Sequence, residues 1–262
     1  LASSSVTSVV LNEENEVNIS VDQISEYRYS HIDFSLDESN ENKNNVTMKM
    51  NYLSKITNDM VITVPDNVQT IVIDSLDLIG YDSRLKIKKN NIDKIVTTHV
   101  NSINVKESAR ANLENTLVQN SLIFDQKSTI SLENVDFNAT SKIKYIVYYY
   151  DMATWGSPIY VYKNIGIPET IEISYPNENI GPHPDWEYNF ITGIFDLATC
   201  EKLASKINLT NTGFNKVSCS QPNRGSRNDE PFSILSLTNK SNNSGKGTNI
   251  GLIIGIVVAV VV

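Results

Sequence analysis

Only two cysteines occur in 262 residues, Cys200 and Cys219. They offer no CxxC pair and no Cys/His spacing suited to zinc. In an oxidising compartment they would pair, closing a loop worth roughly 3 kcal/mol on chain-entropy grounds. Histidine is almost as scarce: His31, His99 and His183 stand in unrelated contexts, and none forms HExxH. There is no GxSxG elbow, no glycine-rich phosphate loop and no acidic series of the EF-hand kind. Hydrolase, nucleotide-binding and calcium-sensor readings therefore lack a starting residue. The chain reads as non-enzymatic, with no metal and no cofactor. Basic charge is also short, at 22 Lys and Arg against 30 Asp and Glu, for a net charge of −8. No Lys/Arg cluster interleaves with aromatics, so nucleic acid is excluded as a partner.

What is present is enough apolar material, 40% of residues, to bury a sizeable core. Between residues 17 and 137 it comes in short β-rich pieces: 17–21, 61–64, 70–73, 85–88, 102–105 and 129–132. Asn/Asp/Ser-rich turns such as 37–45 and 89–91 separate them. An apolar-x-apolar pair followed by a polar step recurs at Leu85 and Ile87, at Ile103 and Val105, before Asn115 at Leu113, and before Asn134 at Ile130 and Leu132. Rungs of a β-solenoid look like this, with apolar side chains stacking inward and corner asparagines forming hydrogen-bonded ladders. Successive strands lack Asn-Gly or Asp-Gly hairpin turns. The expected fold is mainly β: the end of a solenoid, as a right-handed parallel β-helix, over residues 1–140. An antiparallel β-sandwich is the alternative.

The character changes near Ile143. Segments 144–150 and 159–162 read as an aromatic-rich pair of strands, turned through Trp155 to Pro158. Asp196 caps a helix expected over 197–207, whose apolar face is Leu197, Cys200, Leu203, Ala204 and Ile207. The disulfide would staple this helix to segment 217–219, and 232–237 reads as the last strand. These pieces make a small α+β, membrane-proximal domain over 141–237.

Candidate contact residues are the aromatics Tyr148, Tyr150, Trp155, Tyr160 and Tyr162, since flat rings stack on sugars and anchor protein partners. Ordinary sheet packing competes with that reading. Trp186 lies on the two-proline loop 180–186 and is a further candidate. Acid pairs of the kind needed for glycoside cleavage occur at Asp74 with Asp77 and at Glu133 with Asp136. Solvated turn acids explain them better.

Residues 238–249 are Asn/Ser/Gly/Lys-rich and read as a flexible stalk. Behind them Ile250 to Val262 carries no charge, proline or polar side chain, so lipid is its natural solvent. As a helix its 13 residues cover about 20 Å of roughly 30 Å of hydrocarbon, which reads as a truncated transmembrane span. The small residues and polar spacer at 241–246 fit a cleaved lipid-anchor signal instead. The opening Leu-Ala-Ser-Ser, without Met, suits signal-peptide cleavage or a fragment of a longer chain. Six Asn-x-Ser/Thr acceptors, at Asn18, Asn45, Asn138, Asn208, Asn239 and Asn242, point to an extracytoplasmic surface, although an Asn-rich chain makes some by chance.

The 128–137 rungs, the two-cysteine juxtamembrane unit and the apolar tail together resemble large surface proteins of parasitic protozoa of the polymorphic outer-membrane-protein-like, β-helix class. The resemblance implies an adhesin or host-interaction glycoprotein at the plasma membrane, with the bulk of the chain extracellular. Its expected partners are membrane lipid through the tail and host surface glycans or proteins. A surface-tethered carbohydrate-active enzyme and a structural coat protein are the alternatives. The resemblance carries over no catalytic residue.

Overall fold

Runs of alternating apolar and polar residues dictate strands, and most of the described residues form them. The computed structural model describes residues 9–11, 16–19, 30–33, 46–56, 59–79, 83–89, 96–106, 108–148, 157–174, 187–210, 212–222 and 231–239. The first strands are β1 (Val9–Leu11), β2 (Glu16–Ile19), β3 (Ser30–Asp33), β4 (Val46–Ile56), β5 (Asp59–Val64) and β6 (Val68–Ile79). Then come β7 (Ser83–Lys89), β8 (Thr97–Lys106), β9 (Arg110–Asp125), β10 (Thr129–Phe137), β11 (Lys142–Ile146), β12 (Ile159–Ile165) and β13 (Thr170–Ser174). The last elements are β14 (Glu187–Ile194), helix α1 (Leu197–Ala204), β15 (Ile207–Asn208), β16 (Lys216–Ser220) and β17 (Phe232–Thr238). The fold is mainly β, and all 17 strands join one sheet that curls nearly closed like a barrel. No described helix is long and apolar enough to cross a membrane, and the apolar tail 250–262 lies outside the described residues.

How the sheet curls is written in β9. Along its 16 residues buried and less buried positions alternate, but the alternation slips at Glu114 and Asn115 and again at Gln119 and Asn120. Each slip is a corner, and the straight pieces between corners have different neighbours. Residues 110–114 pair with β10, and 111–112 also with β7. Residues 116–118 lie between β8 and β10, and 121–125 between β8 and β11. Three parallel ladders result. In the first, Asp59, Arg84, Asn112, Ser131, Tyr160 and Thr192 are successive register partners. In the second, the row is Ile71, Thr98, Thr116, Val135 and Ile165. In the third, it is Leu76, Ile103, Leu122, Ile143, Ile171 and Ile207.

The inward members of these rows make the core. Leu76, Ile103, Leu122, Ile143 and Ile171 are all buried, and each such side chain contributes about 1.5–3 kcal/mol by leaving water. One row further along the third ladder, Phe124 and Tyr145 are stacked with ring centroids 4.9 Å apart, and Phe190 lies 5.3 Å from Tyr145.

The corners are fixed by short polar side chains. Asn115, Asn134 and Asn164 adopt positive φ (48°, 52° and 39°), a region asparagine tolerates better than most residues. The Asn134 amide donates to Asn115 Oδ1 and the Asn164 amide to Asn134 Oδ1, each at 3.2 Å. These two bonds link the asparagines of three successive strands in a row. At the next corner Ser75, Ser102 and Ser121 are register partners, and the Ser121 hydroxyl donates to Ser102 at 3.3 Å.

The parallel ladders run on through residue 140 without interruption, since β11 pairs with β9 and β12 with β10. The expected aromatic pair of strands is not a pair: β11 belongs to the third ladder and β12 to the first. Among the described residues, antiparallel pairing is confined to β1 with β2, β14 with β17, and β16 with β17.

The helix is shorter than the apolar face predicted. Asp196 caps it, accepting from the Thr199 N–H at 2.7 Å. It ends at Ala204, where Lys206 N–H bonds back to Leu203 at 3.0 Å and the chain turns so that Ile207 can pair with Ile171. The ladder outcompetes a further helical turn.

Candidate ligand-contact face

The outward side of the first ladder carries the described aromatic pair. In two consecutive turns the first corner is reached through Leu113-Glu114-Asn115-Thr116 and Leu132-Glu133-Asn134-Val135. The next turn uses Val161-Tyr162-Lys163-Asn164-Ile165, one residue more. The register records the insertion: Leu132 faces Val161, but Glu133 faces Lys163. Tyr162 is the extra residue. A bulge re-aims a side chain, and Tyr162 is 54% exposed, the most of any exposed large hydrophobic side chain among the described residues. Its ring packs edge-on against half-buried Tyr160, with centroids 4.7 Å apart and planes at 60°. Exposed Lys163 and Glu133 are register neighbours beside the pair.

Of the other aromatic candidates, Tyr148 follows β11, is 37% exposed, and donates its backbone N–H to Gln126 Oε1 at 3.0 Å. Tyr150, Trp155 and Trp186 lie outside the described residues. The structure thus brings Tyr160 and Tyr162 together.

The candidate acids are differently placed. Asp77 is buried, taking the Asn104 amide at 2.7 Å and the Lys106 ammonium at 3.3 Å, so its carboxylate is committed to the wall. Asp136 lies within β10 rather than in a turn, in register with Leu117, and accepts the Phe137 N–H at 2.9 Å. Among the described residues no group of three or more His, Cys, Asp and Glu could hold a metal ion. His99 is half-buried in register with Val72 and Leu117; the side chain of His31 and all of His183 lie outside the described residues.

Sequence reading missed a cavity of about 320 Å³ lined by Leu85, Ile87, Lys88, Val100, Leu113 and Glu114, among others. It opens because the β7–β9 register ends at Arg84, letting the rest of β7 leave β9. The nearby Lys89 ammonium is held by Asp66 O at 3.2 Å and Gln69 Oε1 at 3.5 Å. No short-range sequence signal reports such a gap, because it depends on pairing between residues a whole turn apart.

Cys200 and Cys219 form the expected disulfide, joining α1 to β16. Among the glycan acceptors, Asn138 and Asn208 are exposed and Asn239 is half-buried. The Asn18 side chain and all of Asn45 and Asn242 lie outside the described residues. Two titrating groups mark the closing end of the sheet. Burial raises the Tyr188 hydroxyl to about 12, against a partly offsetting bond to Tyr145 at 2.9 Å. The Thr199 N–H holds the exposed Asp196 carboxyl below its ordinary range. Comparison with known protein families, with characterised proteins and with solved structures finds no match to this chain.

Proposed function

We propose that this chain is the membrane-proximal part of a cell-surface glycoprotein, built as a right-handed parallel β-solenoid. It acts non-enzymatically in adhesion by holding a sugar against Tyr160 and Tyr162. The observation that carries the proposal is the one-residue insertion that turns Tyr162 outward beside Tyr160, on a ladder otherwise built from shorter corners. A wall residue has no need of such exposure, whereas a stacking platform does. Rows that recur turn after turn support the solenoid reading, because each turn buries its apolar side only against its neighbours. The exposed acceptors Asn138 and Asn208, the disulfide and the apolar tail support an extracellular setting. Kinship with the protozoan surface proteins that the sequence resembles belongs to the same proposal.

The test is binding of the purified chain to a panel of immobilised glycans. Tyr160→Ser with Tyr162→Ser is expected to weaken any captured glycan at least tenfold, about 1.4 kcal/mol, while leaving thermal unfolding within about 1 kcal/mol of the parent. Unchanged capture by a folded double variant contradicts the platform. A chain that captures no glycan, yet stays extracellular and glycosylated, favours the structural-coat reading.

A further inference from the structure

Of the three ladders, the first and third close differently at the C-terminal side, while the second ends on β12 at Ile165. The first ladder continues past β14 into antiparallel β17 and β16, and the disulfide ties β16 back to α1. The third ladder ends on β15, whose register with β13 covers only Ile171 and Glu172 and stops before Ile173 and Ser174. Among the described residues β13 is the registered partner of β15 and nothing follows on its far side. An exposed strand end of this kind is a template for pairing with another chain. The adjoining Glu172 is shared between Lys142 at 3.6 Å and Lys144 at 3.8 Å. What the edge does carry is an acceptor triplet: Asn208 is itself the second residue of β15, exposed, and followed by Leu209 and exposed Thr210. Its Oδ1 accepts the Thr210 N–H at 2.9 Å, leaving Nδ2 as the atom to carry a sugar.

We infer that an N-linked glycan on Asn208 guards the end of the third ladder against pairing with a second copy of this chain. The inference rests on the extracellular, glycosylated reading above. A branched, hydrated sugar anchored on the outermost strand denies a partner backbone its approach, doing for this ladder what β16 and β17 do for the first. The other exposed acceptor, Asn138, follows β10, one strand short of the second ladder's last strand β12, so its glycan does not sit on an outermost strand.

The experiment is expression of the chain in a secreting eukaryotic host, with glycopeptide mapping and light scattering of the parent, Asn208→Gln, Thr210→Ala and Asn138→Gln. Asn208→Gln removes the anchoring amide; Thr210→Ala removes the triplet while keeping Asn208. The expected result is a glycan on Asn208 of the parent, monomeric parent and Asn138→Gln, and a concentration-dependent doubling of mass in both variants that lose the Asn208 glycan. An occupied Asn208 whose loss leaves the chain monomeric overturns the inference. So does a glycan on Asn138 with none on Asn208, which leaves the extracellular reading standing. A chain that enters the secretory pathway with no glycan on any acceptor overturns both.

Discussion

The middle turns of the molecule and its closing end solve the same problem by different means. Between Arg110 and Ile146 each strand has a near copy of itself above and below, and corner asparagines hand hydrogen bonds from one turn to the next. Beyond β14 and β15, which extend the first and third ladders, the described residues change plan: β17 and β16 pair antiparallel, and α1 is tied to β16 by a disulfide. A strand inside a ladder is paired on both sides, whereas the last described strand of a ladder is paired on one. It must therefore be covered by elements that do not invite another strand. The middle should thus tolerate loss of its end better than the end tolerates loss of its staple.

The largest effect is expected where the two regions meet. Gly193 sits at φ +141°, and a side-chain carbon there would overlap the backbone of Val161 in the neighbouring turn. Gly193→Ala should cost about 3 kcal/mol or more in urea unfolding, through both strain and loss of the β12–β14 register. Next comes the staple. Replacing Cys200 and Cys219 together by Ser should cost roughly 3 kcal/mol. Hydrogen exchange should then quicken in β16 and α1 while β9 and β10 keep their protection; equal quickening in β9 would erase the distinction between the regions. A smaller effect is expected inside the middle. Asn134 both donates to and accepts from its neighbours in the corner ladder, so Asn134→Ala should cost about 1–2 kcal/mol. Asn134→Gly, which keeps the backbone freedom but not the bonds, should recover part of that loss.

The smallest effect is at the helix cap. Asp196→Ala should lower stability at neutral pH by less than any of the substitutions above. The cap favours the charged carboxylate, so the folded form titrates below the ordinary value of 3.8. Its contribution is therefore present above that value and lost as pH falls through the lower folded one. Parent and variant should converge in stability in acid.

Much of the middle was legible because its turns are spelled in nearly the same letters. Leu113-Glu114 and Leu132-Glu133 stand 19 residues apart and are register partners, each followed by an asparagine, so the strands and the polar step after them could be read directly. The two cysteines and the Asp196 cap were legible for a simpler reason, since each rests on one bond between recognisable groups. What alternation does not encode is which ladder a strand joins. Segments 144–150 and 159–162 share composition and proximity, yet β11 pairs a turn back with β9 and β12 with β10. The offset between partners changes from 19 residues at Asn112 and Ser131 to 29 at Ser131 and Tyr160. A variable offset hides the pairing from any local pattern. Tyr162 was singled out for its ring, but its exposure comes from an insertion visible only once neighbouring turns are laid against each other.

The most direct test of that layering is a cross-link between turns. Asn112 and Ser131 are parallel register partners on the outer side of the first ladder, and neighbouring strands lie about 4.8 Å apart, within reach of a disulfide. Asn112→Cys with Ser131→Cys should oxidise readily in the folded chain, as read by peptide mapping. Asn112→Cys with Tyr160→Cys, one turn further, should not. Ready bonding in the second pair but not the first would contradict the register of the first ladder, on which the whole account stands.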